Sequence, residues 1–231
     1  MPLYFIIEAI YLSILLLICF LAGCLLVRKG WPLEYRLLVV LCSLTFFVEE
    51  SALFLFFRWI PHDWIYNLFT PLECGFILYI FYRGSTNPAV KRVNAILLAC
   101  LPPGIAAFFF LHPAFFIFNE SALLFYLFSE LIGACAVLIG ILLNQSDTSL
   151  GHQPLFWMAC GILFYSCIFT VLHAYLNAMP KNVIPKNSFL YYTIYSFIAN
   201  NFMYIGFIAC FFSMRRLSRA IQPAQVFLTE D

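Results

Sequence analysis

The chain has 231 residues, of which 64% are hydrophobic and 10% are charged, and its formal net charge is +1. Soluble domains are roughly half apolar and about a quarter charged, so this composition excludes a protein whose whole surface faces water. The length predicts one domain, and the near-neutral charge without a dense basic patch argues against nucleic acid as a partner.

Seven apolar segments are long enough to cross a bilayer as helices, which takes roughly 17–25 residues each. In chain order the predicted spans are 4–27, 37–60, 64–82, 93–112, 122–144, 155–176 and 191–214. The third span is short and closely follows the second, so a six-span alternative stays open. The predicted fold class is an all-α polytopic membrane bundle of seven transmembrane helices. Its transmembrane domain is predicted over 1–216 and a short cytoplasmic tail over 217–231.

The basic residues alternate between the two sides of these spans. One side holds Arg28, Lys29, Arg36, Arg83, Lys91, Arg92, Arg215, Arg216 and Arg219, and the other holds Arg58, Lys181 and Lys186. Cytoplasmic loops carry an excess of Lys and Arg. The sequence therefore predicts a multi-pass protein of the cell membrane, in contact with the lipid bilayer, with its N-terminus outside and its C-terminus in the cytoplasm. The fifth gap, which has no Lys or Arg, does not follow this pattern.

Five of the eleven acidic residues lie inside predicted spans. They are Glu8 in span one, Glu49 and Glu50 in span two, Glu73 in span three and Glu130 in span five. A carboxylate at membrane depth costs at least a few kcal/mol, so each needs a partner, a proton or a water-filled cavity. Glu49 and Glu50 are about 100° apart on a helix. One of them is expected to face the bundle centre and the other a neighbouring helix, and the sequence leaves open which.

Amides, hydroxyls and one imidazole lie at similar depths in the last two spans. The predicted site for a ligand or a proton comprises Glu49, Glu50, Glu73, Glu130, His173, Tyr195, Asn200 and Asn201. Further hydroxyls in the same layer belong to Tyr165, Ser166, Thr170 and Ser196. The structural alternative is that these groups only form interhelical hydrogen bonds, each worth about 0.6 kcal/mol in membranes.

The sequence lacks the motifs of cofactor and metal chemistry. No predicted span contains the lysine that a retinal Schiff base requires, and no Glu-x-x-His pair of a di-iron site occurs. Only His112 and His173 could face a haem, and both lie near the outer edge. The sequence therefore predicts no cofactor and no metal site, and an intramembrane enzyme ranks third among the candidate functions.

Spans one to three show a weak similarity to spans five to seven. Glu8 precedes Pro32 by 24 residues, and Glu130 precedes Pro154 by the same number. Span four would then be a linker in a 3+1+3 arrangement with parallel halves, as in small-sugar carriers. The proline positions that mark those carriers are missing, so the repeat is an interpretation of the architecture only.

Several short strings carry a resemblance to a known group. They are Tyr66-Asn67 followed by Pro71-Leu72-Glu73, then Phe156-Trp157 with Gly161 and Tyr165, and finally Asn200-Asn201. The chain resembles small bacterial seven-helix membrane proteins that lack an output domain. The resemblance covers most of the chain and implies the architecture, without an activity or a site.

The favoured functional hypothesis is a receptor-like sensor subunit that binds a small ligand or a proton in the polar layer. Because the predicted tail is too short for an output domain, such a sensor needs a separate cytoplasmic signalling partner. The alternative is a proton- or cation-coupled transporter of small molecules, which needs polar residues towards both faces of the membrane. The inner parts of spans five and seven, at 138–143 and 207–212, are strongly apolar and mildly favour the sensor.

Overall fold

A computed structural model describes residues 3–27, 30–111, 117–144, 149–178 and 188–226, with side chains over 6–27, 30–110, 117–144, 149–176 and 190–218. These residues form seven α-helices and one 3-10 turn, and no strand occurs among them. The helices are α1 (Leu3–Leu26), α2 (Leu33–Phe57), α3 (Asp63–Gly84), α4 (Pro88–Leu111), α5 (Glu120–Leu143), α6 (Pro154–Ala178) and α7 (Ser188–Val226).

Each of the seven helices is long and apolar enough to cross a membrane. This confirms the all-α seven-helix bundle, and the six-span alternative is wrong because α2 and α3 are separate helices. Local signals place several helix ends. Asp63 stands in the first turn of α3, and the Asn119 side chain caps α5 by accepting a hydrogen bond from the amide of Ala122.

The largest difference from the predicted spans is at the end of α7, which continues to Val226. Apolar sequence reports where the bilayer ends, whereas a helix ends only where its backbone meets a capping or breaking signal. Arg215, Arg216 and Leu217 are good helix formers, and no Gly or Pro follows them before Pro223. Residues 217–226 of the predicted tail are therefore helical.

Six of the helices form a closed ring. Successive neighbours in it are α1 and α2, α2 and α3, α3 and α5, α5 and α6, α6 and α7, and finally α7 and α1. The fourth helix packs against α3 and α5 from outside the ring. Any six helices that form a closed ring in chain order show the same neighbour pattern in both halves, so this arrangement does not test the 3+1+3 repeat, which stays a prediction.

The half of the ring predicted to be cytoplasmic is filled by apolar side chains from six helices. Its most deeply buried members include Leu16, Leu38, Leu41, Ile77, Phe81, Met158, Ile162, Phe207 and Phe211. Because these residues pack against one another across the ring, this half is a packed core, and the five intramembrane glutamates lie in the middle and in the other half.

The sixth and seventh helices make the closest backbone approach. A Cβ atom added at Gly161 would lie 2.9 Å from the Phe202 carbonyl oxygen, and one added at Gly206 would lie 2.8 Å from the Trp157 carbonyl oxygen. Small residues at helix contacts in membranes let backbones approach in this way. The pair of glycines therefore fixes the distance between α6 and α7.

Candidate functional site

Three of the predicted glutamates converge inside the ring. Glu49 on α2 accepts a hydrogen bond of 2.9 Å from the Tyr66 hydroxyl on α3. Glu130 on α5 accepts one of 3.1 Å from the Ser166 hydroxyl on α6. Glu73 on α3 is only 8% exposed and interacts electrostatically with both other carboxyls. We call Glu49, Glu73 and Glu130 the acidic cluster.

Tyrosines from α6 and α7 complete the surroundings of the acidic cluster. Tyr165 lies near enough to all three glutamates to interact with them electrostatically. Tyr204, which is 3% exposed, interacts in the same way with Glu49 and Glu73. Five of the six ring helices thus contribute side chains to one polar region.

The acidic cluster is not balanced by a basic side chain within the described residues. The charged groups that act on its three carboxyls are the other glutamates, including Glu50 beside Glu49. Arg58, the basic residue nearest in sequence to Glu49, is exposed at the end of α2 with its guanidinium 5.3 Å from the Phe54 ring centre. Carboxylates buried without a cation are costly, so the cluster is a candidate for a proton or a positively charged ligand.

Aromatic rings lie on the side of the acidic cluster that is predicted to face outwards. Phe118, in the segment before α5, has its ring centre 6.5 Å from that of Tyr66 and 6.4 Å from that of His173. The His173 ring lies 5.9 Å from Phe169 and 6.0 Å from Tyr192. We call these five residues the aromatic roof. Tyr66 is seven residues before Glu73 on α3, which places it about 10 Å further out.

The α3 side chain next to Tyr66 holds the segment that carries Phe118. The Asn67 amide donates a 2.8 Å hydrogen bond to the carbonyl oxygen of Ile117. The amide oxygen of Asn67 accepts a 3.1 Å hydrogen bond from the backbone N–H of Asn119. Because one side chain binds the backbone on both sides of Phe118, the ring is fixed relative to α3 and therefore relative to Glu73.

Two polar side chains of α6 have buried atoms without a hydrogen-bond partner among the described residues. His173 is 4% exposed, and both its ring nitrogens are unpaired, as is the hydroxyl of Thr170. Ser166, Thr170 and His173 follow a spacing of i, i+4 and i+7, which places them along one face of the helix. Since Ser166 binds Glu130, this face runs from the acidic cluster to the aromatic roof. Buried polar groups are nearly always hydrogen-bonded, so these atoms call for an explanation.

The two adjacent glutamates of α2 point in different directions. Glu49 faces the ring interior, whereas Glu50 lies on the outside of the bundle in a groove between α2 and α3, beside Phe47, Phe54 and Trp64. One oxygen of Glu50 is buried there and has no hydrogen-bond partner among the residues that the structure describes. This answers the question that the sequence left open, since Glu49 is the member of the pair that faces the centre.

The predicted residues of α7 lie apart from the acidic cluster. Asn201 accepts a 2.7 Å hydrogen bond from the Tyr11 hydroxyl of α1, and Asn200 donates to the backbone and the hydroxyl of Ser196. Tyr195 is 48% exposed and points away from the ring. These side chains thus occupy the contact between α1 and α7 or the outer surface.

The glutamate of the first helix belongs to the same contact. Glu8 lies within hydrogen-bonding reach of the Thr193 and Ser196 hydroxyls on α7. The five intramembrane glutamates therefore divide into three inside the ring, one at the contact between α1 and α7, and one on the outside.

The sequence interpretation missed several residues of the site. Tyr66 has the seven-residue spacing from Glu73 that indicates one helix face, and this signal was available. Tyr192, Tyr204 and Phe118 carry no comparable signal. The first two are members of a tyrosine-rich helix, and Phe118 lies in a connection without periodicity.

Comparison of the chain with models of protein families, with curated proteins and with solved structures gives no match. No family membership is therefore assigned. The seven apolar helices make the chain an integral membrane protein of the multi-pass type, and its function has to be argued from the acidic cluster and its surroundings.

Proposed function

We propose that the protein is a receptor-like membrane sensor subunit whose acidic cluster takes a small ligand or a proton from the outer side. The observation that supports this most strongly is the convergence of Glu49, Glu73 and Glu130, from three helices, on one buried region. Intramembrane ionisable residues are functional candidates by default. Here they are grouped beneath an aromatic roof with no basic partner among the described residues.

The proposal includes the orientation of the chain, with the N-terminus outside and the C-terminus in the cytoplasm of a cell membrane. Reporter fusions test it. A fluorescent protein that folds only in the cytoplasm is expected to be bright when fused after Asp231. Alkaline phosphatase, which is active only outside the cytoplasm, is expected to be active when fused after Pro61. The opposite pair of results would reverse the topology and place the acidic cluster towards the cytoplasm.

The packed inner half of the ring favours a sensor over a carrier. A carrier needs a route for its substrate from the acidic cluster to the cytoplasm, and large apolar side chains such as Phe207 and Phe211 fill that part of the ring. A sensor needs only a change in helix positions, because its ligand can leave on the side from which it entered.

The seventh helix gives the proposed sensor a physical connection to the cytoplasm. It carries Tyr192 and Tyr204 beside the acidic cluster and continues to Val226. Its 39 residues span about 58 Å at 1.5 Å per residue, against a hydrocarbon core of about 30 Å. A shift of α7 at the site would therefore reach the cytoplasmic surface, where a separate signalling partner would detect it.

Hydrogen exchange of α7 tests the proposed signal with the proton as the probe. In lipid nanodiscs, a change from pH 8 to pH 5 is expected to alter amide exchange over 214–226, after correction for the intrinsic effect of pH. The Glu73→Gln variant is expected to lose this response because the substituted amide cannot change charge. Glu50→Gln, the same substitution on the outside of the bundle, is the control and should respond as the unaltered protein does.

A transporter is the second candidate, and the position of the acidic cluster between the first three and the last three helices favours it. Transporter folds are commonly built from two repeats with the site between them, and the predicted 3+1+3 repeat would place the cluster there. Uptake into proteoliposomes separates the two functions. Solute uptake that is driven by a pH gradient and abolished by Glu73→Gln would show a transporter and replace the sensor proposal. The sensor proposal would also fail if amide exchange in α7 did not change under any of the probes.

A further inference from the structure

We propose that the acidic cluster binds an organic amine with two or more ammonium groups, held by Glu49, Glu73 and Glu130 beneath the aromatic roof. The inference rests on the proposed function, since it names the ligand class for the same site. The proposed ligand is a polyatomic cation, and neither a metal ion nor a neutral solute.

The charge of the site favours a cation. Glu73 interacts with both Glu49 and Glu130, and the charges that act on the three carboxyls within the described residues are negative. Buried carboxylates of this kind are stabilised strongly by a positive partner, and the described part of the chain provides none there. An amine that is charged in water supplies this partner and loses hydration in exchange for several charge-assisted hydrogen bonds.

The spacing of the acids disfavours a metal ion. Among the described residues, no three His, Cys, Asp or Glu side chains are placed to hold one. Calcium, for example, needs its oxygen ligands at about 2.3–2.6 Å, so they must gather closely around one point. A chain with an ammonium at each end has no such restriction. It can reach two carboxyls on different helices, such as Glu49 on α2 and Glu130 on α5.

The unpaired groups on α6 independently indicate a ligand with hydrogen-bond donors. The His173 side chain is almost fully buried, and neither ring nitrogen has a partner within the part of the chain that the structure describes. A neutral imidazole has one nitrogen that accepts a hydrogen bond, and the Thr170 hydroxyl also accepts. Both lie on the face of α6 whose Ser166 binds Glu130. An ammonium group has three N–H donors and no acceptor, which matches this set.

The aromatic roof fits the rest of such a molecule. Phe118 and Phe169 offer apolar surface to a methylene chain, while the rings of Tyr66 and Tyr192 can attract an ammonium through their negative faces. Rings arranged around acids are a common means of recognising organic cations. A neutral diol of the same length would meet the rings equally well but would leave the carboxylates without a counter-charge.

Calorimetry with three matched solutes tests the ligand class. The native protein in nanodiscs of neutral lipid is titrated with 1,4-diaminobutane, 1-aminobutane and 1,4-butanediol, with empty nanodiscs as the blank. We expect the diamine to bind at least tenfold more tightly than the monoamine, and the diol not to bind. Glu73→Gln and Glu49→Gln should each weaken diamine binding at least tenfold, while Glu50→Gln, whose side chain lies outside the ring, should weaken it by less than threefold. His173→Phe should weaken it by a smaller factor because a ring without acceptors remains.

Several results would overturn the inference. Equal binding of diamine and diol would show that charge is not recognised, and equal losses in Glu50→Gln and Glu73→Gln would place the effect outside the cluster. Each variant is first checked for a single cooperative unfolding transition. If Glu73→Gln does not fold, the loss of diamine binding is measured with Glu49→Gln instead. If the diamine fails to bind but amide exchange in α7 still changes with pH, the amine ligand is refuted and the sensor proposal is not. If the diamine binds but amide exchange in α7 does not change, the sensor proposal is refuted and the amine-binding site is not.

Discussion

Replacing Gly206 by valine is expected to force α6 and α7 apart and to destabilise the bundle strongly. The first added carbon alone would lie 2.8 Å from the Trp157 carbonyl oxygen and 2.9 Å from the Cα atom of Gly161. These are backbone atoms, which cannot rotate away as a side chain can, so the two helices must separate. Overpacking typically costs about 1–3 kcal/mol, and the two further methyl groups place this substitution at the upper end.

The measurement is the thermal midpoint of the purified protein. For Gly206→Val we expect a fall of about 6–12 °C, since each kcal/mol shifts the midpoint of a chain of this size by about 2–4 °C. Gly75→Ala is the matched control. It is also a glycine in a membrane-spanning helix, but its added carbon meets only the Leu101 side chain at 3.8 Å. A valine variant as stable as this control would refute the close contact of α6 with α7.

The spans could be predicted from the sequence because the bilayer imposes their length. About 20 apolar residues are needed to cross it, whatever the helices pack against. The end of α7 could not be predicted in this way. The helix leaves the apolar region near Ser218, meets no Gly or Pro before Pro223, and continues at least to Val226. Hydropathy thus predicted which residues of α7 cross the membrane, but it did not predict how far the helix continues beyond them.

The acidic cluster could be predicted only in part, because sequence position gives depth and not direction. Asn201 and Glu73 are both near the middle of their spans, yet Asn201 lies at the contact with α1 while Glu73 faces the ring interior. The direction in which each side chain points depends on the rotation of its helix, which is set by its neighbours. For the same reason the choice between Glu49 and Glu50 had to wait for the positions of α3 and Tyr66.

A double substitution of Glu73→Gln and Glu130→Gln is expected to stabilise the protein and to abolish diamine binding. Glutamine keeps the shape of glutamate, and its amide oxygen can still accept the hydrogen bond from Ser166 that Glu130 accepts. What disappears is the repulsion between two buried carboxyls that interact with each other. Replacing buried ion pairs by well-packed apolar residues of similar volume is often neutral or stabilising. For two buried acids replaced by neutral amides we expect, by the same reasoning, a gain of about 1–2 kcal/mol.

The sign of this change distinguishes a functional site from structural hydrogen bonding. If the glutamates served only to hold helices together, losing their charge-assisted bonds would cost stability, at about 0.6 kcal/mol for each interhelical bond. Glu8→Gln is the control, because Glu8 lies within reach of two hydroxyl partners on α7 and has no second carboxyl among the described groups that act on it. The Glu8→Gln substitution is expected to leave the thermal midpoint unchanged or to lower it slightly.

A rise in stability together with a loss of binding would mean that the protein keeps an unfavourable arrangement because its ligand requires it. Residues retained at a cost to the folded state are a common mark of functional sites. A fall in stability of the double variant to below that of Glu8→Gln would instead make the cluster part of the scaffold, and both the amine and the sensor proposals would lose their main support. Thermal midpoints and calorimetry on the unaltered protein and these two variants decide between the outcomes.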